Sequence, residues 1–131
     1  MNSLSNPNVV HKPIGPYHHT ALVPENSRWL VISGQVGMDR EGNIASGAKA
    51  QSEQALRNIA ACLEANGMRK EDLVKFTVYL TDARSIADYR AARSKVIGDG
   101  IQPASTLVIV AGLANPDLLV EIEAWAAKPM L

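Results

Sequence analysis

The sequence predicts an α+β fold in which a mixed sheet carries two helices on one face, in the order β-β-β-α-β-α-β-β. Three observations lead there. Residues 47–66 and 85–97 repeat apolar side chains at helical spacing. "DLVKFTVYLT" alternates side to side as a strand does. Each helical stretch lies between apolar strands, so right-handed crossovers bring both helices to the same face. A length of 131 residues fits one domain, and 47% apolar residues supply a core for it.

Taken in order, residues 1–16 hold Pro7, Pro13 and Pro16 and read as an extended arm. "HTALV" and "RWLVIS" flank the polar cluster "PENS", which predicts a hairpin over 19–33. A turn at Asp39–Gly42 leads to a short third strand. Ser46 is the expected cap of the first helix, Leu56, Ile59, Ala60 and Leu63 mark its buried face, and Asn66-Gly67 ends it. In the following strand Val74, Phe76, Val78 and Leu80 face one way and Leu73, Lys75, Thr77 and Tyr79 the other. Ser85 and Asp88 resemble a capping box for the second helix, which carries Ile86, Tyr89, Val96 and Ile97 and ends at Gly98. "STLVIVAGL" and "LLVEIEAWA" form the last two strands, with pairing expected between the fourth and fifth and between the fifth and sixth. Trp29 and Phe76 read as core.

The sheet face away from the helices keeps Leu73, Tyr79, Leu119 and Trp125, and nothing remains in the chain to cover them. Such a face predicts self-association. On the last strand Glu121 and Glu123 share that face, while Val120, Ile122, Ala124 and Ala126 point to the helices. A carboxylate in a subunit contact is costly unless it is paired or functional. Two readings stand here: pairing across strands with Lys75 or an arginine, or proton transfer by a carboxyl whose pKa burial has raised.

Charge and composition narrow the partners. Thirteen basic and thirteen acidic side chains leave zero formal charge, without the basic excess of a nucleic-acid binder. Cys62 is alone, so the chain has no disulfide of its own, and it reads as a small core residue in a reducing compartment. "MNSLSNPNVVHKP" lacks the features of a secretion signal, and no apolar run nears the roughly 20 residues of a membrane helix. The expectation is a cytoplasmic protein without membrane or nucleic-acid partners. His11, His18 and His19 lack a helical ligand spacing, so no metal is expected, although one of them can line a site beside Tyr17. "SGQVG" has no Lys-Ser/Thr pair and no following helix, so it is not a phosphate loop.

"IGPYHH", "ISGQVG", "KFTVYLTD", "QPAS" and "VEIEAWA", in this order and spacing over nearly the whole chain, resemble the RidA/YjgF family of enamine/imine deaminases, also labelled L-PSP endoribonuclease-like. The resemblance implies a chorismate-mutase-like fold, a homotrimer with its sheets in a central barrel, and three clefts between subunits. It implies catalysis by Glu121 without cofactor, with Tyr17, Ser33 and Gly34 lining the cleft. It also exposes a departure: Ser105 stands where the family's "PAR" motif has an arginine that clamps the substrate carboxylate. A hydroxyl cannot replace that charged fork, since one hydrogen bond to a charged group is worth about 1.5–3 kcal/mol.

Ser105 and Thr106 are then expected to meet a neutral polar group, or a carboxylate held by another cation. Arg90 and Arg93, one turn apart on the second helix, are candidates for that cation; their alternative is to be solvated helix charges. Where Arg90 stands the family often has Asn near the cleft. Three functions follow as expectations: hydrolysis of a small enamine or imine with altered recognition, an aminomuconate-type deaminase being one form; metabolite binding without catalysis in the same clefts; and, disfavoured by the neutral charge, RNA cleavage.

Overall fold

A computed structural model of the chain describes residues 1–130. It contains strands β1 (Ser3–Ser5), β2 (Thr20–Leu22) and β3 (Ser27–Val36), helix α1 (Ala48–Ala65), strand β4 (Leu73–Leu80), helix α2 (Ile86–Val96), and strands β5 (Ala104–Ile109) and β6 (Val120–Pro129). Both helices pack on one face of a four-stranded mixed sheet of order β3-β6-β4-β5, in which β4 and β5 are parallel and the other pairs antiparallel. This is the α+β class and helix placement that the sequence predicts.

The strand pairing differs from expectation in two places. β2 does not form a hairpin with β3; it pairs with β1, Leu4 opposite Ala21, in a separate ribbon. The ladder of β3 is taken by β6, which runs beside it from Ser27–Pro129 to Val36–Glu121. β5 and β6 are not neighbours either, because β6 lies between β3 and β4. Burial explains the order. Val120, Ile122, Ala124 and Ala126 are wholly buried, as the inner face of a central strand should be, whereas Val108 and Ile109 on β5 stay exposed at an edge.

The short third strand reduces to one bridge, Met38 to Ile44, around a turn in which the Asp39 carboxylate accepts the Glu41 and Asn43 amides. The helix ends are partly as read. α1 finishes at Asn66, where Gly67 (φ +70°) lets its own amide and that of Met68 reach back to Glu64 and Leu63. Its first turn is capped by Gly47, without a side-chain hydrogen bond, and not by Ser46. No Ser85–Asp88 box forms. Asp82 caps the approach instead, accepting the Arg84 amide at 2.8 Å and the Arg84 guanidinium at 2.7 Å, which holds its carboxyl down to about 2.

The core lies between helices and sheet, around Leu56, Ile59, Leu63, Phe76, Val78, Leu80 and Ile122. Leu73 belongs to it and not to the open face, because an irregularity between Leu73 and Lys75 turns its side chain inward. Trp29 moves the other way. It is 52% exposed on the open face, where its ring meets Trp125 edge-on at 6.0 Å. Cys62 packs against the core, partly buried, as its apolar neighbours suggested.

Candidate active site

Glu121 is on the open sheet face, opposite Tyr79 on β4 and Val36 on β3. Just before Val36 the pairing of β3 with β6 slips between Ile32 and Gln35, and Ser33 and Gly34 occupy the slip. A bulge of this kind re-aims a strand locally. Here it brings Gly34 so near that a Cβ on it would lie 1.9 Å from Glu121 Oε2 and 2.7 Å from Cδ. Gly34 is therefore packed against Glu121, with Ser33 beside it in the slip.

The two carboxylates of β6 are not equivalent. Tyr79 donates its hydroxyl to Glu123 Oε1 at 2.7 Å, and that hydrogen bond, with burial and the nearby Glu121 charge, raises the phenol's pKa. Glu121 has no hydrogen bond or ion pair among the described residues, and neither acid pairs with Lys75 or an arginine. The sequence placed Tyr79 on the open face, as an uncovered residue, but did not give its bond to Glu123. The signal was there, since the alternation puts Tyr79 on the carboxylate face.

Tyr17, Arg90 and Ser105 lie elsewhere. They line a cavity of about 300 Å³ between the amino-terminal arm, α2 and β5, together with Ile14, Gly15, Pro16, Ile86, Tyr89, Arg93 and Leu107. Glu121 does not line it, because Ser105 points to the helix side of the sheet. Thr106, next along β5, points to the open face opposite Thr77 and does not share a site with Ser105; successive strand residues face opposite ways.

The two arginines also separate. Arg90 is exposed, and its Nη2 is 3.0 Å from where a Cβ on Gly15 would be. Arg93 is no solvated helix charge. It is 5% exposed, donates to the carbonyls of Pro16 and, at 3.2 Å, Ile101, and covers the Phe76 ring at 5.8 Å. Burial lowers its pKa.

The histidines pin the arm. His18 Nδ1 bonds the Gln102 carbonyl and His19 Nε2 the His11 carbonyl, both at 2.6 Å, and the His19 ring meets Tyr17 edge-on at 5.7 Å. Among the described residues no three His, Cys, Asp or Glu side chains group as metal ligands, and no helix is long and apolar enough to cross a membrane.

The fold and this arrangement define a class: a small α+β protein with a lone carboxylate over a strand bulge and an aromatic arm at a separate cationic cavity. The family model described as Endoribonuclease L-PSP matches residues 8–128. A RutC family protein of Pyrococcus horikoshii is 40% identical over 119 residues, covering 89% of this chain and 90% of its own. The 2-iminobutanoate/2-iminopropanoate deaminase of Salmonella typhimurium is 33% identical over 118 residues, covering 88% and 89%. The crystal structure of a Rid-family protein of unknown function from Yersinia pestis superposes with a TM-score of 0.83 at 29% identity, over 97% of this chain and 98% of that one. The chain belongs to the RidA/YjgF family.

Proposed function

We propose that the chain is a hydrolytic deaminase of a small enamine or imine, working in clefts between three copies of itself. The observation that carries this is the carboxylate of Glu121, held without a partner against Gly34 on an apolar sheet face. Trp29, Val31, Trp125 and Val108 are all exposed around that face. A patch of this kind favours association. One chain leaves Glu121 and Tyr17 apart, and a neighbouring copy is what would bring an arm to the carboxylate.

The chemistry needs no cofactor, because an imine carbon is already electrophilic. The enamine first tautomerises to the imine. Glu121 takes a proton from water as its oxygen bonds to the imine carbon, and the imine nitrogen gains a proton. The carbinolamine then collapses: the C–N bond breaks, ammonia leaves and a carbonyl remains. Ser33 and the Gly34 amide would hold the developing charge.

One observation favours a second reading, metabolite binding without turnover: Ser105 in place of the clamp arginine. RNA cleavage draws no support from the neutral charge. The test generates 2-iminopropionate with an amino-acid oxidase and follows its loss with wild type and with Glu121→Gln. Acceleration abolished by the substitution supports the deaminase; no acceleration over free hydrolysis leaves the binding reading.

A further inference from the structure

Glu121 occupies the last pair of the β3–β6 ladder, opposite Val36, and beyond it the two strands part. The chain turns sharply after Val36, whose carbonyl accepts the Met38 amide at 2.8 Å. β6 has begun only one residue before Glu121, at Val120. The end of a ladder opens more easily than its middle, because nothing further along holds it closed. On its β3 side the carboxylate thus stands where the sheet comes apart most readily.

Helix α1 supplies what the ladder lacks there. Gln51 is only 2% exposed; its Oε1 accepts the Leu119 amide at 2.8 Å, and its Nε2 donates to the carbonyls of Asp117 at 3.0 Å and Ala45 at 3.1 Å. Ala45 in turn donates its amide to the Gly37 carbonyl at 2.9 Å. One side-chain amide therefore ties the approach to β6 to the chain leaving β3. Its partners fix its orientation: exchanging Nε2 and Oε1 would set an oxygen against two carbonyls. Further along α1, Asn58 donates to the carbonyls of Val36 at 3.2 Å and Met38 at 3.0 Å, and Gln54 donates to Asn58 Oδ1 at 2.9 Å. Residues 51, 54 and 58 share one helix face. The contact is tight as well, since a Cβ on Gly37 would lie 2.4 Å from Gln51 Cβ and 2.5 Å from its Cα. Packing alone would call for apolar side chains here, because a buried amide is costly unless it is hydrogen-bonded. The amides add direction and a fixed spacing.

We infer that Gln51 and Asn58 are positioning residues for Glu121: they hold the parted ends of β3 and β6 at one separation and so keep the carboxylate against Gly34. Both lie on the helix side of the sheet and act only through the strands. In its kinetic consequence the inference rests on the deaminase reading; in its geometry it does not.

Gln51→Glu and Asn58→Asp test it, since each keeps the side-chain shape and replaces the donating nitrogen by an oxygen that faces carbonyls. Each should lower kcat for 2-iminopropionate about 10- to 100-fold, the scale of a catalytic group displaced by up to an ångström. KM should change by less than about twofold, in protein that circular dichroism shows to be folded at the assay temperature. Gln51→Met strips the amide without adding charge; it should behave alike, and it serves where a charged variant does not fold. In a Glu121→Gln background Gln51→Glu should cause no further loss, because residues that act through one group are not additive. Glu53→Gln, which weakens the contact of α1 with α2 and leaves these amides alone, should keep the wild-type kcat. A readout without substrate is the Gly34 amide resonance in NMR spectra, which should move in Gln51→Glu and stay in Glu53→Gln. A fully additive loss in the double variant, or an unmoved Gly34 resonance, would overturn the inference. A moved resonance in a protein that hydrolyses no imine would sink the deaminase reading alone. Glu121-dependent hydrolysis with kcat unaltered in the Gln51 and Asn58 variants would sink this inference alone.

Discussion

The Glu121 carboxylate occupies the space a side chain at residue 34 would need: a Cβ on Gly34 would lie 1.9 Å from Oε2 and 2.8 Å from Cγ. A side chain at residue 34 is opposed by this proximity and not by backbone angles, since Gly34 has no positive φ. Gly34→Ala must push the whole carboxyl arm aside. We expect a fall of about 100-fold in imine hydrolysis, the usual effect of misplacing a catalytic group by an ångström. Overpacking should cost stability only about 1–3 kcal/mol. Hydrolysis rates and thermal unfolding of the variant check both; full activity in Gly34→Ala would remove Glu121 from the chemistry.

Glu123 is one step along the same face and has a different fate, because Tyr79 donates to it at 2.7 Å. Both Tyr79 and Tyr89 should titrate later than an ordinary phenol, Tyr89 near about 12. A raised phenol pKa means that the folded state keeps its proton more firmly. The stabilisation is thus complete below the ordinary value of 10.0 and is lost as pH rises through the folded value. Ultraviolet difference titration of Tyr79→Phe and Tyr89→Phe should each remove one late phenol. An unchanged curve in either variant would contradict its assignment.

What the sequence made legible depended on the range of the interactions involved. The buried row Val120–Ile122–Ala124–Ala126 and the carboxylate row beside it follow from alternation alone, and so does the stop at Asn66-Gly67. Strand neighbours do not. That β2 leaves β3 for Ser3–Ser5 is decided by segments about 15 residues apart or more, and "NSLSN" is too short to announce a strand. Leu73 and Trp29 were misplaced for related reasons: an irregular register turns Leu73 inward, and Trp29 lies on a face left uncovered within one chain. Ser105 and Thr106 looked like a pair, although strand alternation itself separates them. The burial of Arg93 was hidden because its partners are backbone carbonyls, which carry no signature in the sequence.

Arg93 ties the amino-terminal arm and the loop before β5 to α2 through the carbonyls of Pro16 and Ile101. Arg93→Met keeps the stem over Phe76 and strips both acceptors. Each unsatisfied acceptor costs about 1–3 kcal/mol, so we expect a loss of about 2–6 kcal/mol in chemical denaturation. Arg93→Lys should recover part of it, since one ammonium can serve one carbonyl. A loss below about 1 kcal/mol in Arg93→Met would show that water satisfies these carbonyls equally well.

The Trp29–Trp125 pair, 52% and 44% exposed on the open face, is a natural centre for contact between copies. Sedimentation of wild type should show an oligomer, with a trimer expected. Trp125→Asp places a charge at that centre and should shift the protein to monomer while its far-ultraviolet circular dichroism stays unchanged. If the deaminase works between subunits, hydrolysis should fall with the trimer population across a dilution series. A monomeric wild type with full activity would contradict the shared-cleft reading.

On the opposite side of the molecule, Glu53 on α1 joins the helices: Lys95 on α2 reaches it at 2.6 Å and Arg57, one turn along, at 3.5 Å. The ammonium of Lys95 at this carboxylate is the chief reason it titrates below the ordinary 4.5. A depressed carboxyl means that the unfolded chain binds a proton more readily than the folded one. Its stabilisation is therefore present above 4.5 and is lost as pH falls through the lower folded value. Glu53→Gln keeps the shape but not the charge. Its melting temperature should lie below wild type at neutral pH, and the two should converge as pH drops below 4.5. Melting curves across that range decide the matter: parallel acid limbs would mean that the Glu53–Lys95 contact contributes packing and not charge.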